Sequence, residues 1–226
     1  MGIYWTMKFK NEKDKNLSER FKVLIKDTKF FDVLVGYFYT SGFYAIYKSL
    51  ENTEKLRILI GISTNRDTYK LIQKSYIPKQ ESLQFSHAEA KEKFSDTLVE
   101  EMGASEDNHD LEEGVNKFLE WLKSGKLEIK AYPSENIHAK LYVMTFAEGD
   151  RDVGRVITGS SNFTQSGLID NLEFNVELKT RSDYEFAKLK FNELWKNAVD
   201  VSEKYIETIQ TKTWLNNTIT PYDLYL

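Results

Sequence analysis

The feature that most constrains the fold is a strand–helix–strand run between Asp32 and Ile62. DVLVGYF, at 32–38, is β-branched and aromatic without polar alternation, which is typical of a strand covered on both faces. LRILIGI, at 56–62, has the same character. Between them Thr40 or Ser41 is expected to cap a helix, whose apolar residues have helical spacing: Phe43, Ile46, Tyr47 and Leu50. The run predicts a βαβ unit with a parallel strand pair.

The remainder of the chain adds a charged helical stretch and then more strands. Residues 65–124 have helical periodicity and many charges, which predicts a helical insertion ending at Gly125. Further strands are expected at Leu127–Tyr132, Ile137–Phe146, Val153–Thr158 and Glu173–Lys179. A helix from Asp183 is expected to bury Phe186, Leu189, Leu194 and Trp195. We therefore predict an α/β/α sandwich with a central mixed sheet over residues 1–212, and a tail or linker over 213–226.

Composition excludes several classes of site. The 226 residues include no cysteine, so disulfides, thiolate zinc sites, iron–sulfur clusters and cysteine nucleophiles are ruled out, and a cytoplasmic, reducing location is expected. The longest apolar run, 33–39, is far shorter than the roughly 18 to 20 residues that cross a bilayer. The net charge of −4 provides no general attraction for phosphate, so a nucleic acid would need a local basic groove.

The residues that suggest chemistry lie between His138 and Glu173. The sequence reads H-A-K at 138–140, G-S-S-N at 159–162 and N-L-E at 171–173. On a strand, His138 and Lys140 would face the same side, where an imidazole can attack phosphorus and an ammonium can bind a phosphate oxygen. The glycine of a strand-to-turn junction lets backbone N–H groups approach a phosphate closely. Either motif alone is common in ordinary strands and turns, so the inference depends on their combination.

This combination resembles the phospholipase D superfamily of HKD phosphodiesterases, whose pattern is HxK, an aspartate five residues later, and GSxN after the next strand. The matching residues are His138, Lys140, Gly159, Ser160 and Asn162, with Glu173 in the place of a downstream acid. The resemblance implies that His138, Lys140, Asn162 and Glu173 are catalytic and that Lys140, Gly159, Ser160 and Asn162 bind phosphate. Thr145 replaces the aspartate, and the interval between the motifs is longer because of the 147–152 turn.

The resemblance also implies an assembly. The chemistry needs two histidines, one to attack and one to protonate the leaving group, whereas the chain has one HxK motif. Superfamily members with a single motif pair two identical chains around one site, so a homodimer is implied. The segments 30–50, 56–64 and 156–179 look like the phospholipase-D-like domain at the N-terminus of certain superfamily 2 helicases, which implies a helicase domain C-terminal to this region.

The function expected from this resemblance is metal-independent hydrolysis of phosphodiesters in DNA or RNA, through a histidine nucleophile and a phosphohistidine. No cofactor or metal is expected, because no ligand-type cluster of carboxylates or histidines accompanies the motif. No membrane partner is expected, because no exposed apolar loop or basic amphipathic helix suggests a membrane surface. Two alternatives remain open: a non-catalytic module that dimerises and binds nucleic acid, and a phospholipid hydrolase.

Overall fold

The computed structural model describes residues 7–10, 16–36, 38–61, 109–132, 137–150, 152–203 and 206–207. Most of the predicted helical insertion, 65–108, and the predicted tail, 213–226, lie outside these residues.

The strands are β1 (Met7–Lys10), β2 (Thr28–Val35), β3 (Lys55–Gly61), β4 (Leu127–Tyr132), β5 (Leu141–Phe146), β6 (Gly154–Gly159), β7 (Phe174–Leu178) and β8 (Val199–Asp200). The α-helices are α1 (Leu17–Ile25), α2 (Thr40–Tyr44), α3 (His109–Ser124) and α4 (Arg181–Lys196). A 3₁₀ turn spans Tyr47–Leu50, and a π-helical turn spans Ser166–Asp170.

The eight strands of the described chain form one mixed sheet in the order β1-β7-β6-β5-β2-β3-β4-β8. β2, β3 and β4 are parallel, which confirms the predicted βαβ unit, and β5 runs antiparallel to β2. β5 and β6 form the predicted hairpin, and β7 continues the antiparallel order. The carboxyl ends of β2, β3, β4 and β6 therefore lie at the same sheet edge as the amino ends of β5 and β7.

Helices cover both faces of the sheet, as the predicted sandwich requires. On one face the main core packs Phe21 of α1, Phe43 of α2 and Phe118 of α3 against strand residues such as Val33. On the other face Leu34 and Leu59 pack against Phe191 of α4. Alternate residues of β2 thus enter opposite cores, which explains why its sequence lacks polar alternation.

The predicted helix after β2 is shorter than expected. α2 stops at Tyr44, and a 3₁₀ turn follows at Tyr47–Leu50. Tyr39, rather than Thr40 or Ser41, is the N-cap residue, and its side chain makes no capping hydrogen bond. The short helix and the 3₁₀ turn nevertheless bury all four of the predicted apolar residues: Phe43, Ile46, Tyr47 and Leu50.

The predicted apolar face of α4 is wrong in part. The helix begins at Arg181, where the Thr180 hydroxyl accepts a hydrogen bond from the Asp183 amide. Phe186 and Leu189 are 65% and 56% exposed, whereas Ala187 and Phe191 are buried against the sheet. Leu194 and Trp195 do pack against the cluster that contains Phe191, so the error is confined to the first half of the helix.

Candidate active site

The fold brings the separated motif segments to one edge of the sheet. Residues 138–140 immediately precede β5, residues 160–162 follow β6, and Glu173 precedes β7. Because those strands alternate in direction, all three segments lie where β2 and β3 have their carboxyl ends. Ligand sites in open α/β sheets form at this kind of edge.

The H-A-K segment is not part of a strand, which corrects the prediction that β5 begins at Ile137. β5 begins at Leu141, and residues 137–140 form an extended connection across the ends of β2 and β3. Two glycines allow this close crossing: a Cβ on Gly36 would lie 3.1 Å from the Ile137 carbonyl oxygen, and one on Gly61 would lie 2.5 Å from the same atom. Larger side chains at these ends would push the motif away from the sheet.

The positions of His138 and Lys140 fit a surface site. His138 is exposed and Lys140 is half-buried. The Lys140 Nζ donates a 2.9 Å hydrogen bond to the His138 carbonyl oxygen, so the ammonium is held beside the histidine backbone. Asn162 faces the same place: a Cβ on Gly36 would lie 3.9 Å from the Lys140 Nζ and 3.7 Å from the Asn162 Oδ1. The structure thus brings a cation and an amide from two motifs together.

Ser160 and Glu173 contact one another directly. The Ser160 hydroxyl donates a short hydrogen bond to the Glu173 carboxylate, and it accepts one of 3.0 Å from the Phe174 amide. The Ser160 amide donates to the Phe174 carbonyl oxygen at 3.0 Å. The hydroxyl and the backbone N–H of Ser160 are therefore both used to join β6 to β7. In this arrangement Ser160 orients Glu173, and the Ser160 N–H is not directed at a ligand.

Two buried residues that the sequence analysis missed, Tyr142 and Asn175, hold the second motif through Ser161. The Tyr142 hydroxyl donates to the Ser161 carbonyl oxygen at 2.8 Å, and the Asn175 side-chain amide donates to the Ser161 hydroxyl at 2.9 Å. Burial, together with the charge of Glu173, raises the pKa of Tyr142 well above its usual value, so this hydroxyl stays protonated and keeps donating. The predicted strand includes Tyr142, but the sequence does not predict its hydrogen-bond partner.

Thr145, which replaces the aspartate of the superfamily pattern, lies away from the motif. It is near the far end of β5, which places it roughly 15 Å along the strand from Lys140. Its hydroxyl lies 2.8 Å from the Tyr184 hydroxyl and accepts a 3.2 Å hydrogen bond from the Lys188 Nζ. Thr145 therefore makes local contacts with α4.

A carboxylate is present near Thr145, on the neighbouring strand. Asp32 of β2 is 1% exposed, and it pairs with Lys188 at 2.5 Å and with Arg57 at 2.6 Å. Arg57 donates to both oxygens of Asp32. Asp32 and Thr145 both contact Lys188, so an acid on β2 lies close to the β5 position where the superfamily pattern has an aspartate.

A cavity of about 230 Å³ lies beside the motif. It is lined by Tyr39, Asn162, Thr164, Ser166, Gly167, Asn171 and Glu173. The cavity thus includes two of the predicted site residues and extends to the π-helical turn. A ligand phosphate bound near Asn162 would have space for an adjacent group there.

Within the described ranges, no three His, Asp or Glu side chains are grouped in a way that could hold a metal ion. The same ranges contain no helix that is both long and apolar enough to cross a membrane.

Comparison with known families decides what this arrangement belongs to. The family model described as "Cardiolipin synthase, PLD-like domain" matches residues 23–195, which include all three motif segments. The chain belongs to the phospholipase D superfamily. Membership confirms the resemblance that the motifs predict, and it places H-A-K and GSSN within a domain known for phosphodiester chemistry. No curated protein sequence matches the chain significantly.

Several solved structures align with the chain at low sequence identity. Phosphatidylserine synthase of Haemophilus influenzae aligns with a TM-score of 0.50 and 13% identity, covering 88% of this chain and 40% of that one. Nuc of Salmonella typhimurium, a phospholipase D family member, aligns at 0.49 and 14%, covering 87% and 97%. TrmBL2, an archaeal chromatin protein, aligns at 0.42 and 15%, covering 88% and 54%. The chain thus spans about half of TrmBL2 and less than half of the synthase.

Proposed function

We propose that this phospholipase D-like domain is a metal-independent phosphodiesterase that acts on nucleic acid. The observation that supports the proposal best is the convergence of His138, Lys140 and Asn162 with Glu173 at one sheet edge. These side chains would supply a nucleophile, a cation, an amide donor and an acid at that edge. Such a set is suited to in-line displacement at phosphorus.

In the proposed mechanism, the His138 imidazole attacks phosphorus, the P–O bond to the leaving group breaks, and a phosphohistidine forms. The leaving oxygen takes a proton from the His138 of a second chain. Water then attacks the phosphohistidine, giving its proton to that second imidazole and releasing the phosphomonoester. Lys140 and Asn162 stabilise the charge on the non-bridging oxygens.

The proposal includes a homodimer, because one chain supplies one H-A-K histidine and the mechanism needs two imidazoles. Leu172 and Phe174, on either side of Glu173, are 77% and 50% exposed. Two apolar side chains beside a polar site fit a surface covered by a second copy. The resemblance to helicase-linked domains supports a further proposal, that the domain acts together with a helicase.

The test is cleavage of a single-stranded oligonucleotide and of phosphatidylglycerol vesicles, each in EDTA and in Mg²⁺. We expect oligonucleotide cleavage in EDTA and no lipid hydrolysis. Loss of cleavage in EDTA, with recovery in Mg²⁺, would contradict the metal-independent mechanism. Lipid hydrolysis alone would favour the phospholipid hydrolase, and tight oligonucleotide binding without turnover would favour the non-catalytic module.

A further inference from the structure

The cavity beside the motif has an aromatic wall that the catalytic assignment does not use. Tyr39 lines it and is 40% exposed, although it follows a buried strand and adjoins the buried Phe38. It thus presents a partly solvent-exposed aromatic side chain at the border of a polar cavity. We propose that Tyr39 is a stacking platform for the nucleobase next to the scissile phosphate, an inference that rests on the proposed function.

The backbone holds Tyr39 in a fixed position. Its amide donates to the Phe163 carbonyl oxygen at 3.2 Å, and Phe38 forms a parallel bridge with Phe163. The Phe38 ring stacks with the rings of Phe163 and Phe118, with centroid distances of 5.7 and 6.2 Å. Because adjacent extended residues point in opposite directions, burial of Phe38 directs Tyr39 outward.

The cavity has the size and polarity for one planar base. At about 230 Å³ it is smaller than the roughly 300 to 1,000 Å³ of sites for drug-sized ligands. Its polar lining comes from the π-helical turn and its flanks: the Thr164 hydroxyl lies 3.2 Å from that of Ser166, and Asn171 is exposed at the end of the turn. Hydroxyl and amide groups can hydrogen-bond any base edge, and a ring can stack on any base.

The position of the cavity relative to the predicted phosphate-binding residues also fits a base next to the scissile phosphate. Asn162 and Glu173 line both the motif and the cavity, so a phosphate at Asn162 lies next to the space in front of Tyr39. The π-helical turn packs directly on the Asn162 backbone, because a Cβ added to Gly167 would lie 3.0 Å from the Asn162 nitrogen. The glycine therefore keeps the cavity close to the motif. Bases that stack on protein aromatics must be unstacked from their neighbours, so the proposed ligand is a single strand.

The experiment measures fluorescence anisotropy with a labelled single-stranded oligonucleotide and with the same strand made of abasic nucleotides. All proteins carry His138→Ala, so that no strand is cleaved. We expect Tyr39→Ala to weaken binding of the base-bearing strand roughly 5- to 100-fold, the usual effect of removing a stacking partner, and to leave abasic binding unchanged. Tyr39→Phe should bind like the parent, because stacking needs the ring and not the hydroxyl.

The matched control is Phe186→Ala, which removes an exposed aromatic ring from α4 on the other face of the sheet and should change neither affinity. Equal affinity of the Tyr39→Ala protein and its parent for the base-bearing strand overturns the inference. An equal loss of affinity for the base-bearing and the abasic strand also overturns it, because Tyr39 would then contact the sugar-phosphate backbone and not a base. If the parent binds neither strand, the proposed nucleic-acid function fails as well.

Discussion

The candidate chemical groups and the groups that hold the second motif differ in burial. His138 is exposed and Lys140 is half-buried, whereas Tyr142 and Asn175, which donate hydrogen bonds to Ser161, are fully buried. The exposed groups could be predicted because a pattern of residue types carries them. The buried supports could not, because a tyrosine or asparagine in a strand does not indicate which carbonyl or hydroxyl it will bond.

At the residue scale, His138→Ala should reduce oligonucleotide cleavage by at least about a thousandfold while the protein stays folded. The exposed side chain contributes little buried area, so we expect a change in unfolding free energy within about 0.5 kcal/mol. Single-turnover cleavage and urea unfolding measure the two quantities. His87→Ala is the matched control, since His87 has no lysine two residues later. Retained cleavage by a folded His138→Ala protein would contradict the nucleophile assignment.

Lys140→Ala should weaken oligonucleotide binding and reduce its dependence on salt. Removing one phosphate contact lowers the slope of log affinity against log salt by roughly 0.7 for a single strand. The control is Lys190→Ala, since Lys190 forms an exposed ion pair with Glu193 on α4. Anisotropy titrations at several salt concentrations give the slope. An unchanged slope for Lys140→Ala, or an equal change for the control, would show that Lys140 does not contact phosphate.

At the scale of single elements, the sequence predicts whether a segment is a helix or a strand better than it predicts which face the segment buries. β2 and β3 could be predicted because each is rich in apolar residues without polar alternation, which is typical of a strand covered on both faces. For α4 the helix could be predicted but its buried face could not be chosen correctly. Lys188 decides that face in part: its ammonium reaches the buried Asp32, and a partner on a distant strand is invisible in a local pattern.

The buried carboxylate of Asp32 on β2 gives a prediction at the scale of elements. Asp32→Asn should destabilise the protein by about 3 kcal/mol, because Arg57 and Lys188 would lose their shared buried partner. Adding Thr145→Asp should recover part of that loss, since the Thr145 hydroxyl already lies 3.2 Å from the Lys188 Nζ. Urea unfolding compares the variants, with Asp32→Asn/Thr145→Asn as the uncharged control. Equal stability of the two double variants would show that β5 cannot supply the charge.

At the scale of the whole molecule, the site depends on strand direction more than on any one element. The motif segments precede β5, follow β6 and precede β7, and they meet only because these strands alternate in direction. The hairpin of β5 and β6 could be predicted from its polar turn. The places of β1 beside β7 and of β8 beside β4 could not, because their pairing joins distant parts of the chain.

The last prediction concerns the proposed dimer, because a shared site makes activity depend on both chains. When wild-type protein is mixed with increasing amounts of inactive His138→Ala chains and allowed to exchange, each mixed dimer lacks one of the two imidazoles. Activity should then fall as the square of the wild-type fraction, since only wild-type pairs retain both groups. Cleavage rates across a mixing series at constant total protein distinguish this curve from a straight line.

Mixing with a His87→Ala protein should leave the rate unchanged, which controls for the exchange of chains. Light scattering establishes that dimers are present. A linear fall with His138→Ala, or a strict monomer at tens of micromolar protein, would mean that each chain works alone and that another group protonates the leaving oxygen.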